Sequence, residues 1–410
     1  MDDRLERPPQ PRGTGAIARA VAAFVVLLAA LWTAVGALAA PLLPGGGKTA
    51  AALAVLLTAV PLATLVAGRS LGLYPGALVR LLVFRPFWYA QFAVLLLAPV
   101  GILAAIAGLP FGMAGEFGRA ALAAAAALLA VLLLVGYLGS RRLEVRRLTA
   151  LLPRLPAALD GLTIGQLSDL HVGPHSSRPF LERAARAVRD AAPDLIAVTG
   201  DLVDDFPPDL DRYAEIFGDL RAPLGVYAVP GNHEVYTGWP EVRSRLERLP
   251  LTVLDNRSVA VRCRGQDFAV VGTGDPAFGP GAARPADSGD EAGGDAAAPD
   301  IRRALSEVAP GTFVIALAHN PALWPELAAR GADFTLSGHT HWGQLAFPKL
   351  GWCLASPFLE LAMGAHSRGN SLLYIHPGSN YWGLPFRLGQ ASQVAIITLR
   401  RGDRTGLLEE

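Results

Sequence analysis

The chain has 410 residues, 52% of them hydrophobic, with 36 basic residues against 35 acidic ones. This near-neutral total conceals a split: residues 1–150 carry 13 basic and 5 acidic side chains, and residues 151–410 carry 23 and 30. The acidic second part argues against nucleic acid as a partner, because a phosphate backbone needs a basic surface. The two cysteines, Cys263 and Cys353, form neither a disulfide framework nor a zinc-finger spacing.

Four stretches in the first part carry no charge: residues 20–47, 49–68, 86–115 and 120–140. Each is long enough, at ~20 residues or more, to cross a bilayer as helix. None has the polar face that a soluble helix shows. Pro61 interrupts the second, which a spanning helix tolerates. The expected organisation is a tail at 1–19, a four-helix transmembrane region at 20–140 and a basic linker at 141–157. A soluble domain at 158–400 and a tail at 401–410 follow.

Loop charges set the expected orientation. Arg4, Arg7, Arg12 and Arg19, then Arg69, Arg80 and Arg85, then Arg141, Arg142, Arg146 and Arg147 fall on one side. Only Lys48 and Arg119 fall on the other. Positive loops stay inside, so the N-terminus and residues 141–410 are expected in the cytoplasm. Ala37-Leu38-Ala39 resembles a signal-peptide cleavage site, and cleavage there would leave the other spans in place. The spans hold no Asp, Glu, Lys, Arg or His, which favours an anchor over a transporter. The run Gly45-Gly46-Gly47-Lys48-Thr49 is not a phosphate loop, since Leu42 stands where the first glycine belongs.

From about Leu159 short apolar runs alternate with amphipathic ones. Strands are expected at 162–167, 195–199, 226–229, 268–271, 313–318, 334–336, 372–375 and 394–399. Helices are expected at 178–191, 209–220, 239–249, 301–307 and 322–329. The alternation predicts βαβ units and sheets covered on their faces. Residues 279–299, rich in Gly, Ala, Asp and Pro without periodicity, read as a disordered insertion.

Five segments that follow predicted strands carry the chemistry. They are Asp169-Leu170-His171, Gly200-Asp201-Leu202-Val203-Asp204, Gly231-Asn232-His233-Glu234, Ala318-His319-Asn320 and Gly338-His339-Thr340-His341. Ligands gather where strands of an α/β sheet end. Carboxylate and neutral imidazole suit Mn, Fe or Zn. Two such ions can clamp a phosphate and activate a water. A single histidine of this kind is more often an ordinary hydrogen-bonded residue. Five of the chain's eight histidines nevertheless fall in these segments.

This order of motifs resembles the calcineurin-like metallophosphoesterases, over roughly residues 158–400. Leu336 to His341, Gly343-Gln344 and the late Pro385-Phe386-Arg387 resemble the bacterial membrane-associated branch related to UDP-diacylglucosamine pyrophosphohydrolases. Trp342 departs from that branch, which often has glycine there, and is expected to narrow the mouth of the site. The resemblance implies a four-layer α/β/β/α sandwich after the four transmembrane helices. It implies that Asp169, His171 and His341 bind one divalent ion, that Asn232, His319 and His339 bind a second, and that Asp201 bridges both. His233 would protonate the leaving group or stabilise phosphoryl charge. Asp204 and Glu234 would orient the ligands, and His376 is a further candidate to line the site.

The implied function is metal-dependent hydrolysis of a phosphodiester, pyrophosphate or phosphomonoester. The substrate is expected to be phosphorylated, in the leading reading lipid-linked and met at the membrane. Trp342, Trp352, Phe358, Leu359, Tyr381 and Trp382 are expected to form an apolar rim. The alternatives are a phosphatase of soluble substrates with an incidental anchor, a metal-binding pseudoenzyme, or a regulatory membrane protein.

Overall fold

Long apolar runs without a polar face form helices that hide in one another or in lipid. The computed structural model, which describes residues 14–70, 76–173, 176–278 and 299–409, has such helices at its start. They are α1 (Thr14–Ala39), α2 (Gly47–Ser70), α4 (Arg85–Gly108) and α5 (Ala114–Ser140), with a single helical turn α3 (Ala77–Val79) before α4. All four long helices are apolar and long enough to cross a membrane. Arg80 and Arg85, expected in a loop, are helical: a π-helical segment, Arg80–Phe84, joins α3 to α4. The chain divides into two units, Met1–Leu132 and Leu133–Glu410.

In the first unit α1 packs against α2 and α4. Trp32 Nε1 donates to Gln91 Oε1 at 3.0 Å, and Gln91 Nε2 donates to the Leu57 carbonyl at 3.1 Å. One amide thus joins three helices, as polar side chains do where hydrocarbon offers no other partner.

The second unit begins with the last two turns of α5 and continues with β1 (Leu143–Leu151), β2 (Thr163–Leu167), α6 (Arg178–Asp190), β3 (Leu195–Val198), α7 (Asp209–Gly218) and β4 (Val226–Ala228). Next come α8 (Asn232–Thr237), α9 (Trp239–Leu246), β5 (Thr252–Val253), β6 (Arg257–Cys263), β7 (Gln266–Gly272), α10 (Ile301–Leu305) and β8 (Phe313–Leu317). The remainder is α11 (Trp324–Ala329), β9 (Phe334–Ser337), β10 (Ala346–Phe347), β11 (Trp352–Cys353), β12 (Gly364–Arg368), β13 (Ser371–Ile375), β14 (Ser392–Arg400) and β15 (Gly406–Glu409).

The strands form a sheet ordered β15-β1-β14-β2-β3-β4-β5, a second ordered β12-β13-β9-β8-β7-β6, and the small pair β10-β11. Alternate side chains point to opposite faces of a strand. Leu195 and Ala197 of β3 therefore join the core shared with Phe268, Ile315 and Leu336 of the second sheet. Ile196 and Val198 pack outward on α6, α7 and α9. On the far side Val271, Val314 and Ala316 pack on Ile301 of α10 and Leu327 of α11. The result is the expected four-layer α/β/β/α sandwich, preceded by the four apolar helices.

Two terminal segments are not linkers. Residues 143–151, within the expected basic linker, form β1, paired parallel with β14 (Leu143 opposite Ser392, Leu151 opposite Arg400). Residues 406–409, within the expected tail, form β15 antiparallel to β1. The predicted insertion 279–299 lies, apart from Pro299, outside the described residues, as does His175.

Trp342 is core rather than rim, and His376 is core rather than part of the site lining. Trp342 is buried with Trp324, Ala346 and Ile375, and its Nε1 donates to the Ile375 carbonyl at 3.0 Å. His376 is fully buried beyond β13, and its Nδ1 accepts from the Gly378 N–H at 3.0 Å. Burial, aided by the charge of Arg387, pushes the His376 imidazole down to about 3.

Two outcomes are expected. A fragment beginning at Asp160 should be far less stable than one beginning at Arg141. It loses the buried Leu148, Leu152 and Leu155, at about 1.5–3 kcal/mol each, against a total of about 5–15 kcal/mol. Equal melting temperatures would contradict this. For His376 the folded pKa lies below the ordinary 6.5, so stability falls as pH drops from 6.5 toward about 3. His376→Asn should flatten that fall by about one proton, or about 1.36 kcal/mol per pH unit, measured by urea titration at several pH values.

Candidate metal centre

Parallel strands deliver their loops to one edge, and here both sheets do so side by side. The ends of β2, β3 and β4 supply Asp169 and His171, Asp201, and Asn232 and His233. The ends of β8 and β9 supply His319, and His339 and His341. The loops turn sharply to do this. Asp169, His171, Asp201, His339 and His341 all have positive φ, between 42° and 71°. The left-handed region costs a residue with a Cβ about 1–2 kcal/mol, and such strain gathers where side chains must be aimed.

The aimed atoms converge. His171 Nε2 and His341 Nε2 stand 3.0 Å apart, and His341 Nε2 lies 3.3 Å from Asp169 Oδ1. Asp201 Oδ2 lies 3.8 Å from His171 Nε2 and 3.1 Å from His319 Nε2, so it faces both clusters. Asn232 Oδ1 sits 3.2 Å from His319 Nε2 and 2.7 Å from His339 Nδ1. Donor atoms lie within 4.8 Å of one another in Asp169/His171/His341 and again in Asp201/His319/His339. The same holds for His171/Asp201/His233.

A shell of hydrogen bonds holds the donors. His319 Nδ1 faces the Thr199 carbonyl at 2.8 Å, which leaves Nε2 for the site. Glu234 Oε2 accepts from the N–H groups of Asp201 (2.9 Å) and Gly231 (2.7 Å), and Oε1 from that of Val203 (3.0 Å). Asp204 Oδ1 lies 3.4 Å from His171 Nδ1, and its carbonyl lies 2.7 Å from His233 Nδ1. Gly231 is extended; its place is set by space, since a Cβ would sit 2.7 Å from the Asp201 nitrogen.

Charge in this cluster is unevenly held. Burial raises the carboxyl of Asp169. Burial also pushes Asp201 up, but His319, with His233 and His171, holds this carboxyl well below the usual range. The converse holds for His319, which burial lowers and Asp201 raises well above the ordinary imidazole value. Burial and the charge of His319 push His339 down to about 4. Burial, with His171 and Arg387, lowers His341.

The donor set fits divalent cations: two buried carboxylates, imidazole nitrogens facing one another, and a buried Asp169 Oδ2 without a hydrogen-bond donor. All ten residues expected at the site lie here together. His376 and Trp342 do not join them. Sequence reasoning did not foresee Arg387, buried with Nη2 3.5 Å from His341 Nδ1 and 3.3 Å from the Gly378 carbonyl. Its only signal was the triplet Pro385-Phe386-Arg387. Nor did it foresee Tyr236, whose ring centroid is 5.9 Å from that of His233. Trp382, expected only as part of a rim, stands at the same distance.

Residues 162–343 match the family described as calcineurin-like phosphoesterase. A transmembrane protein with metallophosphoesterase domain from Danio rerio is 30% identical over 60% of this chain and 55% of its own length. An uncharacterized metallophosphoesterase of Helicobacter pylori (strain J99) is 30% identical over 58% of this chain and 60% of its own. The chain thus spans little more than half the length of these relatives. It covers 92% of an uncharacterized metallophosphoesterase of Aquifex aeolicus, again at 30% identity. A 5′-nucleotidase precursor from Thermus thermophilus superposes over 58% of the chain with 14% identity and a TM-score of 0.36. By its family match and its near-complete coverage of the Aquifex relative, the chain belongs to the calcineurin-like phosphoesterases.

Proposed function

We propose that this chain is a membrane-held phosphodiesterase or pyrophosphohydrolase that uses two divalent cations and acts on an amphiphilic phosphate. The observation that carries the reading is Asp201, whose one carboxylate faces both donor clusters. Asp169, His171 and His341 would hold one cation, Asn232, His319 and His339 the other, and Asp201 both, with Mn, Fe or Zn suited to these donors. Bound there, the cations would supply Lewis acidity toward phosphoryl oxygens and lower the pKa of water.

The chain's own groups do the rest. The Asp204 carbonyl fixes His233 through Nδ1, which leaves Nε2 to give a proton to the leaving oxygen. Asp204 also steadies the His171 ring, and Glu234 ties the Asp201 loop to the His233 loop. Such outer bonds fix ligand orientation. Exposed Tyr236 and Trp382 flank His233 and suit the apolar portion of a substrate. Loop charge favours a catalytic unit on the cytoplasmic side.

Hydrolysis of bis-p-nitrophenyl phosphate, compared with the monoester in Mn, Fe, Zn and Mg, tests the reading directly. No turnover with any metal would refute it. Asp201→Asn should abolish activity and lower the content of both metals, read by elemental analysis; two tightly held ions in that variant would remove Asp201 from the bridging role. His233→Ala should keep both metals and lose about 10²–10⁴ in rate. The loss should shrink for substrates with good leaving groups. Loss of metal with unchanged circular dichroism would make His233 a ligand instead.

A further inference from the structure

The loop that carries Trp382 also carries Phe386 and Arg387, and these touch the end of α5 within the second unit. The Arg387 N–H donates to the Gly136 carbonyl at 2.8 Å. The Phe386 ring lies where a Cβ on Gly136 would stand, and the Arg387 carbonyl does the same at Gly139. Gly136 precedes the helix end at Ser140 by four residues, about 6 Å at 1.5 Å per residue. The loop therefore reaches back alongside the last turn of a helix long and apolar enough to span a bilayer.

The same loop is the root of an apolar hairpin. The Leu388 N–H donates to the Gln344 carbonyl and the Ala346 N–H to the Leu388 carbonyl, both at 3.0 Å. Gln344 also holds the backbone of Trp382 through both its side-chain atoms. From this root β10 and β11 project, and the chain beyond them runs to Leu359. Leu350 is 78% exposed and Phe358 81%, while Trp382 beside the site is 51% exposed. Phe347, Trp352 and Leu354 are exposed as well. The charged residues between 345 and 360 are Lys349 and Glu360.

Large apolar side chains exposed together mark a binding surface. Trp, Phe and Leu beside a basic residue are the composition of surfaces that lie in the headgroup boundary. The end of α5 has the matching marks: Tyr137 with Arg141 over its ring at 5.6 Å, then Arg142.

We infer that the 345–359 hairpin and Trp382 dip into the face of the bilayer that α5 crosses, so that the site opens at headgroup level. This rests on the reading of α5 as a membrane span and deepens the proposed function. The occupant of the apolar surface is lipid, and the substrate class is a phosphoester or pyrophosphate whose apolar tail stays in the membrane. Continuity with α5 selects lipid over a partner protein, because the hairpin root is bonded to the loop that lies against the helix end.

The test uses the full chain in bilayers of phosphatidylcholine and phosphatidylglycerol. Nitroxide labels are placed through Leu350→Cys, Phe358→Cys and, as control, Arg264→Cys, each with Cys263→Ala. Labels at 350 and 358 should relax with oxygen and be shielded from a water-soluble nickel chelate, and the label at 264 should do the reverse. Nickel-dominated relaxation at all three positions overturns the inference. Independently, Leu350→Glu with Phe358→Glu should lower kcat/KM on a lipid phosphodiester by about tenfold or more while sparing bis-p-nitrophenyl phosphate. An equal loss on both esters also overturns it. A wild-type chain that cleaves neither ester sinks the hydrolase reading, and the depth measurement still decides the docking.

Discussion

The structure depends on the burial of two carboxylates, Asp169 and Asp201, at the edge where two sheets meet. An ionised carboxylate out of water costs several kcal/mol unless positive charge and hydrogen bonds answer it. Here the answer comes from imidazoles on four separate loops, those after β2, β4, β8 and β9. Each loop follows a strand, and each needs its neighbour to be in place. The sandwich is thus a means of bringing His171, His319, His339 and His341 around two acids that no single segment could neutralise. Backbone N–H groups share the work: those of His233 and His339 donate to Asp201 Oδ1 and Asp169 Oδ1 at 2.9 Å.

Much of this was legible because the chemistry is rare. Carboxylate and imidazole at strand ends, in one order, have few other uses, and the apolar runs of β2, β3, β8 and β9 are buried on both faces and so read plainly. β1 was hidden by its charge. Glu144, Arg146 and Arg147 look like a membrane-proximal linker, yet the strand's second half buries Leu148 and Ala150. The strands β6 and β12, at the edges of the second sheet, carry polar and charged residues that blunt such edges, and for that reason they escaped a search for apolar runs. Left-handed backbone at Asp169, His171 and Asp201 has no sequence signal at all, since nothing but tertiary structure stabilises it. Trp342 failed for the opposite reason: an aromatic next to a ligand motif reads as rim, but a pocket among Trp324, Cys353 and Ile375 had already claimed it.

The two units differ in what organises them. In the first, the Gln91 amide joins three helices. In the second, buried charge gathers mainly at the edge that carries Asp169 and Asp201, with Asp333 buried elsewhere beside Arg154. The segment from Gly136 to Arg147 carries both habits. Its glycines admit Phe386 and Arg387, four arginines follow its apolar part, and within a few residues it becomes a strand of the seven-stranded sheet.

That strand has a consequence for how the protein is made. β1 lies between β14 and β15, so the first strand of the domain to leave the ribosome is completed by the last two. At ~5–20 residues per second, the stretch from Leu151 to Ser392 takes about 10–50 s to synthesise. Throughout that time β1 waits with both edges open. Pairings so distant in sequence also form slowly. The nascent chain therefore passes through a stage in which β1 has neither of its partners, and the positive charge of Arg141, Arg142, Arg146 and Arg147 disfavours pairing of that open strand with its copy in a neighbouring nascent chain.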